Sequence, residues 1–245
     1  MKKVAILQSN YIPWKGYFDI INDADLFIFY DSIQYTKNDW RNRNRIKTPA
    51  GTCWLTIPTG TNLNRLICEV TLNDLRWPIK HWKTIMQYYS KSPHFKIYQD
   101  FFEHVYLDMQ WNTLSELNQF LIKTISNEFL GIKTEFKDSC EYTMAGDKNG
   151  RLVNLLQQVD ANYYISGPAA KDYIDEDKFR ASGIELVYKD YSGYPEYPQL
   201  YPPFDHYVSV TDLLFNTGPD APYYIWGWRE APSLLDLEVA ERIGS

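Results

Sequence analysis

Arg41, Arg43, Arg45 and Lys47 alternate with Asn42, Asn44 and Ile46 in the segment WRNRNRIK. Residues two apart in an extended strand share a face, so the cations are expected on one side and the asparagines on the other. Guanidinium forks and a lysine suit a diphosphate, whether of a nucleotide-sugar or of a carrier's phosphopantetheine arm. Asn42, Arg43 and Lys47 are the binding candidates from this run; a solvated charged strand is the competing reading. His81 follows Trp77-Pro78 on an expected helix, with Lys80 before it and Tyr88 seven residues on along one face. Histidine is the natural acid-base group near neutral pH. Transfer of an acyl group to an amine would need such a base, and Asp31, just after the second apolar run, is the other candidate for it.

Gln8, Tyr11 and Tyr17 follow the first apolar run, and Gln34 follows the second. Open α/β sheets bind ligands beyond the carboxyl ends of their strands, so these side chains are expected to converge there, with Tyr11 and Trp14 also able to clamp the loop to the core. Tyr197, Gln199 and Phe204 lie in a proline-rich stretch that could lid the pocket. Ser209 and Asp212 form a Ser-x-x-Asp pattern, read as a helix cap, with Asp212 a minor site candidate. Ser139 and Cys140 lack a GxSxG elbow or an adjacent base and are read as structural. Cys53, Cys68 and Cys140 show no CxxC spacing. His94, His104 and His206 show no metal-ligand spacing either, so no metal site is expected.

The elements that must carry these groups alternate. Val4 to Gln8 reads as a strand, Tyr17 to Ala24 as a helix, and Leu26 to Tyr30 as a strand buried on both faces. A hairpin or long irregular loop is expected from Ser32 to Pro58, turning at Pro49 to Gly51, with a short strand at Val70 to Leu72. Helical periodicity over Trp77 to Ser90 and Lys96 to Leu130 makes a helical insertion of about residues 77–130. Strands near Lys133 to Phe136, Tyr163 to Ser166 and Glu185 to Lys189 resume the pattern, with a helix over Arg151 to Val159. Another helix, opened by Lys171, Asp172 and Tyr173, is expected after Gly167. The prolines of residues 191–204 exclude an interior strand, Ser209 to Phe215 reads as a helix, and residues 219–245 as a final loop and short helix. The whole is expected to be one α/β domain over 1–245, with a Rossmann-like, mostly parallel sheet.

A charge of −6 argues against a nucleic-acid partner. No apolar run approaches the roughly 18 to 20 residues that cross a bilayer, and the chain enters a strand without a signal peptide, so a cytoplasmic protein with no membrane insertion is expected. With 20 Tyr and 8 Trp, the rings suit either an aromatic-rich core or clefts for sugars, bases and planar groups.

Four motifs, LQSNYIPWKGYFDII, YDSIQYTKNDWRNRNRIK, YYISGPAAKDY and YPQLYPPFDHYVSVTDLLFNTG, resemble in sequence and order the WbqC-like family of bacterial surface-polysaccharide gene clusters. The chain has Gln8-Ser9 where that family usually has Gln-Pro, and its tail beyond Gly218 lies outside the resemblance. The resemblance implies an acyl- or aminoacyltransferase, with glycyl transfer one proposed activity, acting on a nucleotide-linked amino sugar in O-antigen or lipopolysaccharide synthesis. It implies no tightly bound cofactor; the donor would be a carrier-protein or CoA thioester, with an acyl carrier protein as partner. A more distant resemblance is to nucleotidylyltransferase-like Rossmann folds, with Trp14-Lys15-Gly16-Tyr17 where those carry His-x-Gly-His. It implies a phosphate-contacting loop at Ser166 to Pro168, hence Gly167 as a binding residue; Tyr173 is the other, from the expected helix start after Gly167, where backbone N–H groups can hold an anion. Two further functions stay open: a non-catalytic sugar- or carrier-binding partner, and a nucleotidylyltransferase-like enzyme.

Overall fold

Val4, Ala5 and Ile6 are all buried, yet they serve two cores, because successive side chains of a strand point to opposite faces. Val4 and Ile6 pack with Leu155, Leu156 and Phe179, while Ala5 packs with Phe18, Ile21 and Phe27. A strand sandwiched in this way must be interior. The computed structural model, which describes residues 1–230, places it at the centre of a five-stranded parallel sheet.

The sheet consists of β1 (Lys3–Leu7), β2 (Leu26–Phe29), β5 (Glu135–Asp138), β6 (Tyr163–Ser166) and β7 (Glu185–Tyr188). Their spatial order is β5-β2-β1-β6-β7, with Val4 opposite Leu26 on one side and Tyr164 on the other. Helices α5 (Lys148–Gln158) and α6 (Glu176–Ala181) supply apolar residues to one face. The other face packs against α1 (Lys15–Asn22), the helices α2 (Trp77–Tyr89), α3 (Phe95–Glu103) and α4 (Leu114–Thr124), and α7 (Val210–Thr217). The antiparallel hairpin of β3 (Arg43–Thr48) and β4 (Gly51–Thr56) forms a separate two-stranded sheet, turning where Pro49, Ala50 and Gly51 signal it. The α/β class, the parallel sheet and the hairpin are thus all present.

Three local expectations are corrected. Val70 to Leu72 is not a strand: a 3₁₀ turn spans Ile67–Glu69, and Thr71 makes only an isolated bridge to Thr113. The periodicity over Lys96 to Leu130 belongs to two helices, each ending in a π turn, His104–Asp108 and Ile125–Phe129. The break is written in Thr113 and Glu116: the threonine hydroxyl caps α4 by accepting from Glu116 N at 3.1 Å, the T-x-x-E signature of a helix start. After Gly167, Lys171 and Asp172 end a five-residue 3₁₀ turn, Pro168–Asp172, and Tyr173 follows it; α6 begins only at Glu176. Residues 191–204 carry no regular secondary structure. The expected final helix beyond residue 230 lies outside the described residues.

Candidate functional site

The strand order reverses its direction of winding between β1 and β6, since β1 leads through α1 to β2 on one side while β6 leads to β7 on the other. The loops leaving such a pair diverge and open a crevice beyond the carboxyl ends of the strands. Here that crevice is a cavity of about 410 Å³. Its lining includes Leu7 at the end of β1 with Gln8 just after it, Tyr30 after β2, Ser166 at the end of β6 with Gly167, Ala169 and Tyr173 beyond it, Arg41 before the hairpin, and Lys148 in the first turn of α5.

Two cations face a mostly uncharged wall. Lys148 Nζ lies 3.4 Å from the centroid of the Tyr173 ring, a cation–π contact that fixes where the ammonium sits. Arg41 is 14% exposed; its Nη1 donates to Asn10 Oδ1 at 3.3 Å and lies 3.5 Å from Asp39, while its Nε finds no acceptor among the described residues. Burial raises the pKa of Tyr173, partly opposed by the Arg41 charge, and burial likewise raises that of Tyr30, opposed by Arg151. Both hydroxyls therefore stay protonated near neutral pH and can donate. Gly167 has an ordinary extended backbone (φ −70°), and a Cβ built on it would meet no atom within 4 Å. Its lack of a side chain keeps the cavity open and is not needed for the turn.

Of the residues singled out from the sequence, Gln8, Gly167 and Tyr173 meet in this cavity. Tyr17 and Asp31 shape it from behind. Tyr17 donates its hydroxyl to Gln8 O at 2.8 Å. Asp31 is fully buried, accepting from Ser9 N at 2.8 Å, from the Ser115 hydroxyl and from Gln119 Nε2 at 3.4 Å. Burial raises its pKa, opposed by these donors. It lashes the loop after β1 to α4 and is not among the cavity's lining residues. The departure at Ser9 acquires a meaning here, since a proline would have no N–H to give Asp31.

Tyr11 and His81 belong to a buried relay. Thr56 O can only accept, so His81 Nε2 donates to it (3.2 Å); Nδ1 then accepts from Tyr11 Oη (2.8 Å), which in turn accepts from Tyr106 Oη (2.6 Å). Burial lowers the His81 pKa to about 4, with the charge of Lys80 adding to the effect and the Thr56 carbonyl opposing it. The imidazole is neutral at pH 7, and its basic nitrogen is already occupied. It borders a different cavity of about 710 Å³ between the hairpin and α2, with Trp54, Arg76, Trp77 and Lys80.

The remaining candidates stand apart from the switch-point cavity. Gln34 donates to Leu63 O. In and just before β3 the even-numbered side chains turn inward: Asn42 Nδ2 donates to Ile57 O at 2.9 Å, and Asn44 Nδ2 to Tyr11 O and Ile12 O at 3.1 and 2.9 Å. The latter pair braces Ile12, held at φ 34°, where a β-branched residue is strained. Arg43 stacks 4.2 Å above the Trp54 ring. Lys47 is buried although its register is outward, because its ammonium is capped by Pro203 O. Tyr197 and Gln199 donate to Asp212 Oδ1 at 2.7 and 2.9 Å, so they anchor the proline-rich loop. The single cationic face expected of Arg41 to Lys47 is thereby divided three ways.

Arg41, Tyr30, Ser166 and Lys148 complete the site. Arg41 belongs to the alternating cations of residues 41–47, and Ser166 to the segment Ser166 to Pro168. Lys148 had one available signal, the first turn of a helix following a strand at the same sheet edge. Among the described residues, no group of three or more His, Cys, Asp or Glu is placed to hold a metal ion, and no helix is long and apolar enough to cross a membrane.

Fold and cavity define a doubly wound α/β protein with a cationic, tyrosine-edged crevice at its switch point. The model of the WbqC-like protein family matches residues 8–224, and the chain belongs to that family. It is 46% identical over 227 residues, 92% of this chain and 98% of the other, to the uncharacterized protein Rv1507c of Mycobacterium tuberculosis (strain ATCC 25618 / H37Rv). No solved structure matches it significantly.

Proposed function

We propose that the protein is an acyl- or aminoacyltransferase of surface-polysaccharide synthesis that binds a nucleotide-linked amino sugar with its diphosphate in the switch-point cavity. The observation that carries the reading is the pairing of Arg41 and Lys148 across the crevice between β1 and β6. A fork and a point charge suit a diphosphate, and the Gly167 backbone leaves room for it. The cavity's titratable groups are Tyr30, Arg41, Lys148, Tyr164 and Tyr173. Such a set suits direct attack by a positioned sugar amine on a preformed thioester, which needs orientation more than an enzymic nucleophile. The same set also favours a second reading, a non-catalytic partner that binds the sugar nucleotide and presents it to another enzyme.

Calorimetric titration with uridine and thymidine diphosphates tests the binding. Arg41→Ala and Lys148→Ala should each weaken the bound nucleotide roughly 10- to 100-fold, the value of one or two charge-assisted hydrogen bonds. Gly167→Leu should abolish binding while leaving the melting temperature unchanged, because its side chain enters open space. Wild-type affinity in all three variants would place the ligand elsewhere. Mass spectrometry of nucleotide-linked amino sugars incubated with acyl-CoA, carrier thioesters, or amino acid plus ATP then separates the two readings: a time-dependent gain of the acyl mass marks the transferase, and binding without gain marks the partner.

A further inference from the structure

A smaller cavity of about 240 Å³ lies beside the switch-point cavity, lined by Asn10, Pro13, Trp14, Trp40, Asn44 and Tyr207. The chain passes directly from one to the other. Gln8 lines the larger cavity and Asn10 the smaller; Trp40 lines the smaller and Arg41, the next residue, the larger. The hydrogen bond from Arg41 Nη1 to Asn10 Oδ1 ties the two together.

Aromatic groups wall this slot, and each has its own support. Trp14 packs against Tyr191, Tyr194 and Tyr207, with ring centroids 5.1, 6.1 and 5.6 Å away. Gly16 makes room for the indole, since a Cβ there would lie 2.3 Å from it. Trp40 packs on Trp54 at 5.6 Å. Asn44 lends its amide wholly to the chain, donating to two carbonyls and accepting from Arg45 N. Aromatic faces with one adjoining amide suit the apolar C–H face of a pyranose, its hydroxyls reaching the amide. The relative volumes agree, since a nucleoside diphosphate needs the larger space and a single hexose ring the smaller.

We infer that the Trp14–Trp40–Tyr207 slot is the sugar subsite, holding the amino-sugar ring of a nucleotide-linked substrate whose diphosphate lies against Arg41. The assignment rests on the nucleotide reading above. It makes Trp40 and Tyr207 the residues that distinguish the sugar-linked nucleotide from the bare one.

Trp40 is 40% and Tyr207 61% exposed, so either can be truncated with little loss of core. Binding of uridine diphosphate and of its glucosamine conjugate is measured for wild type, Trp40→Ala, Tyr207→Ala and Gly16→Ala, the last expected to push the Trp14 ring out of place. The conjugate should bind wild type at least 10-fold more tightly than the free nucleotide. All three variants should erase that advantage while leaving free-nucleotide affinity within about 2-fold. An advantage that survives in Trp40→Ala and Tyr207→Ala overturns the subsite, as does a wild type that binds both ligands equally. A loss of free-nucleotide affinity in the variants puts the base in the slot and likewise refutes the sugar assignment. If wild type binds neither the uridine nor the thymidine series, the nucleotide reading itself falls, and the subsite with it.

Discussion

Single side chains here are legible as types and opaque as partners. His81 looks like a base when only its neighbours in sequence are known, because the sequence does not reveal Tyr11, 70 residues away, as the group on Nδ1. Asp31 likewise looks like a free carboxylate until Ser9, Ser115 and Gln119 close around it. Gln8 and Gly167 are legible as neighbours at one sheet edge because each directly follows a strand, whereas Tyr173 reaches the same cavity only through the turn after β6. The burial of His81 has a measurable signature. Its folded pKa of about 4 lies below the ordinary 6.5, so between those values the unfolded chain binds a proton that the folded chain refuses. The stabilisation is whole above about pH 6.5, falls as the pH drops, and is spent near pH 4, amounting to about 3 kcal/mol across that window. Urea denaturation from pH 4 to 7 should show wild type losing that much more stability than His81→Gln, which cannot titrate. Parallel curves would mean that His81 is not held neutral.

At the scale of elements, the alternation that marks strands was readable because it is local, whereas what covers an outward face is not. Register puts Lys47 on the same side as Arg43 and Arg45, yet the segment 191–204 folds over it and makes it an interior cation. That proline- and tyrosine-rich segment has no ladder of its own, and side chains hold it down. Tyr197 and Gln199 donate to Asp212, which also accepts from Tyr89 at 2.8 Å. Lys15 Nζ lies 4.8, 5.4 and 5.9 Å from the ring centroids of Tyr194, Tyr197 and Phe204. Burial raises the Asp212 pKa, opposed by its hydrogen-bond donors and by Lys47. A buried acceptor of three donors is costly to remove, because all three lose their partner together. Asp212→Ala should cost about 3 kcal/mol in denaturant unfolding, and limited proteolysis should then cut within residues 191–204. An unchanged cleavage pattern would show that the loop is held by something other than this carboxylate.

Across the whole molecule, the class of sheet could be read from the sequence, but not the place where its winding reverses. The order β5-β2-β1-β6-β7 depends on which strand β6 chooses to pair with, and β6 lies more than 150 residues after β1. The cavity is a consequence of that choice, which is why Lys148 joins Arg41 only in three dimensions. The first helix and the last described turn are joined by a comparable long-range contact. Asp19 in α1 is fully buried; it accepts from Arg229 Nη1 and Nη2 at 2.9 and 2.7 Å and from Tyr194 Oη, and forms an ion pair with Lys189 Nζ at 2.9 Å. One carboxylate thus fastens the end of β7, the proline-rich loop and the last described turn to the first helix. Removing one member of a buried ionic group hurts more than replacing the group, because the survivors keep their charge without compensation. Asp19→Ala should therefore destabilise the protein by about 3 kcal/mol, the low end for such a loss, since Lys189 retains Asp23 at 2.5 Å and Arg229 is 32% exposed. The triple replacement Asp19→Leu, Lys189→Met, Arg229→Met should unfold at higher urea than Asp19→Ala alone. If the triple variant is instead the less stable, the cluster contributes net binding energy between the first helix and the last described turn, and its charges do more than cancel the cost of their own burial.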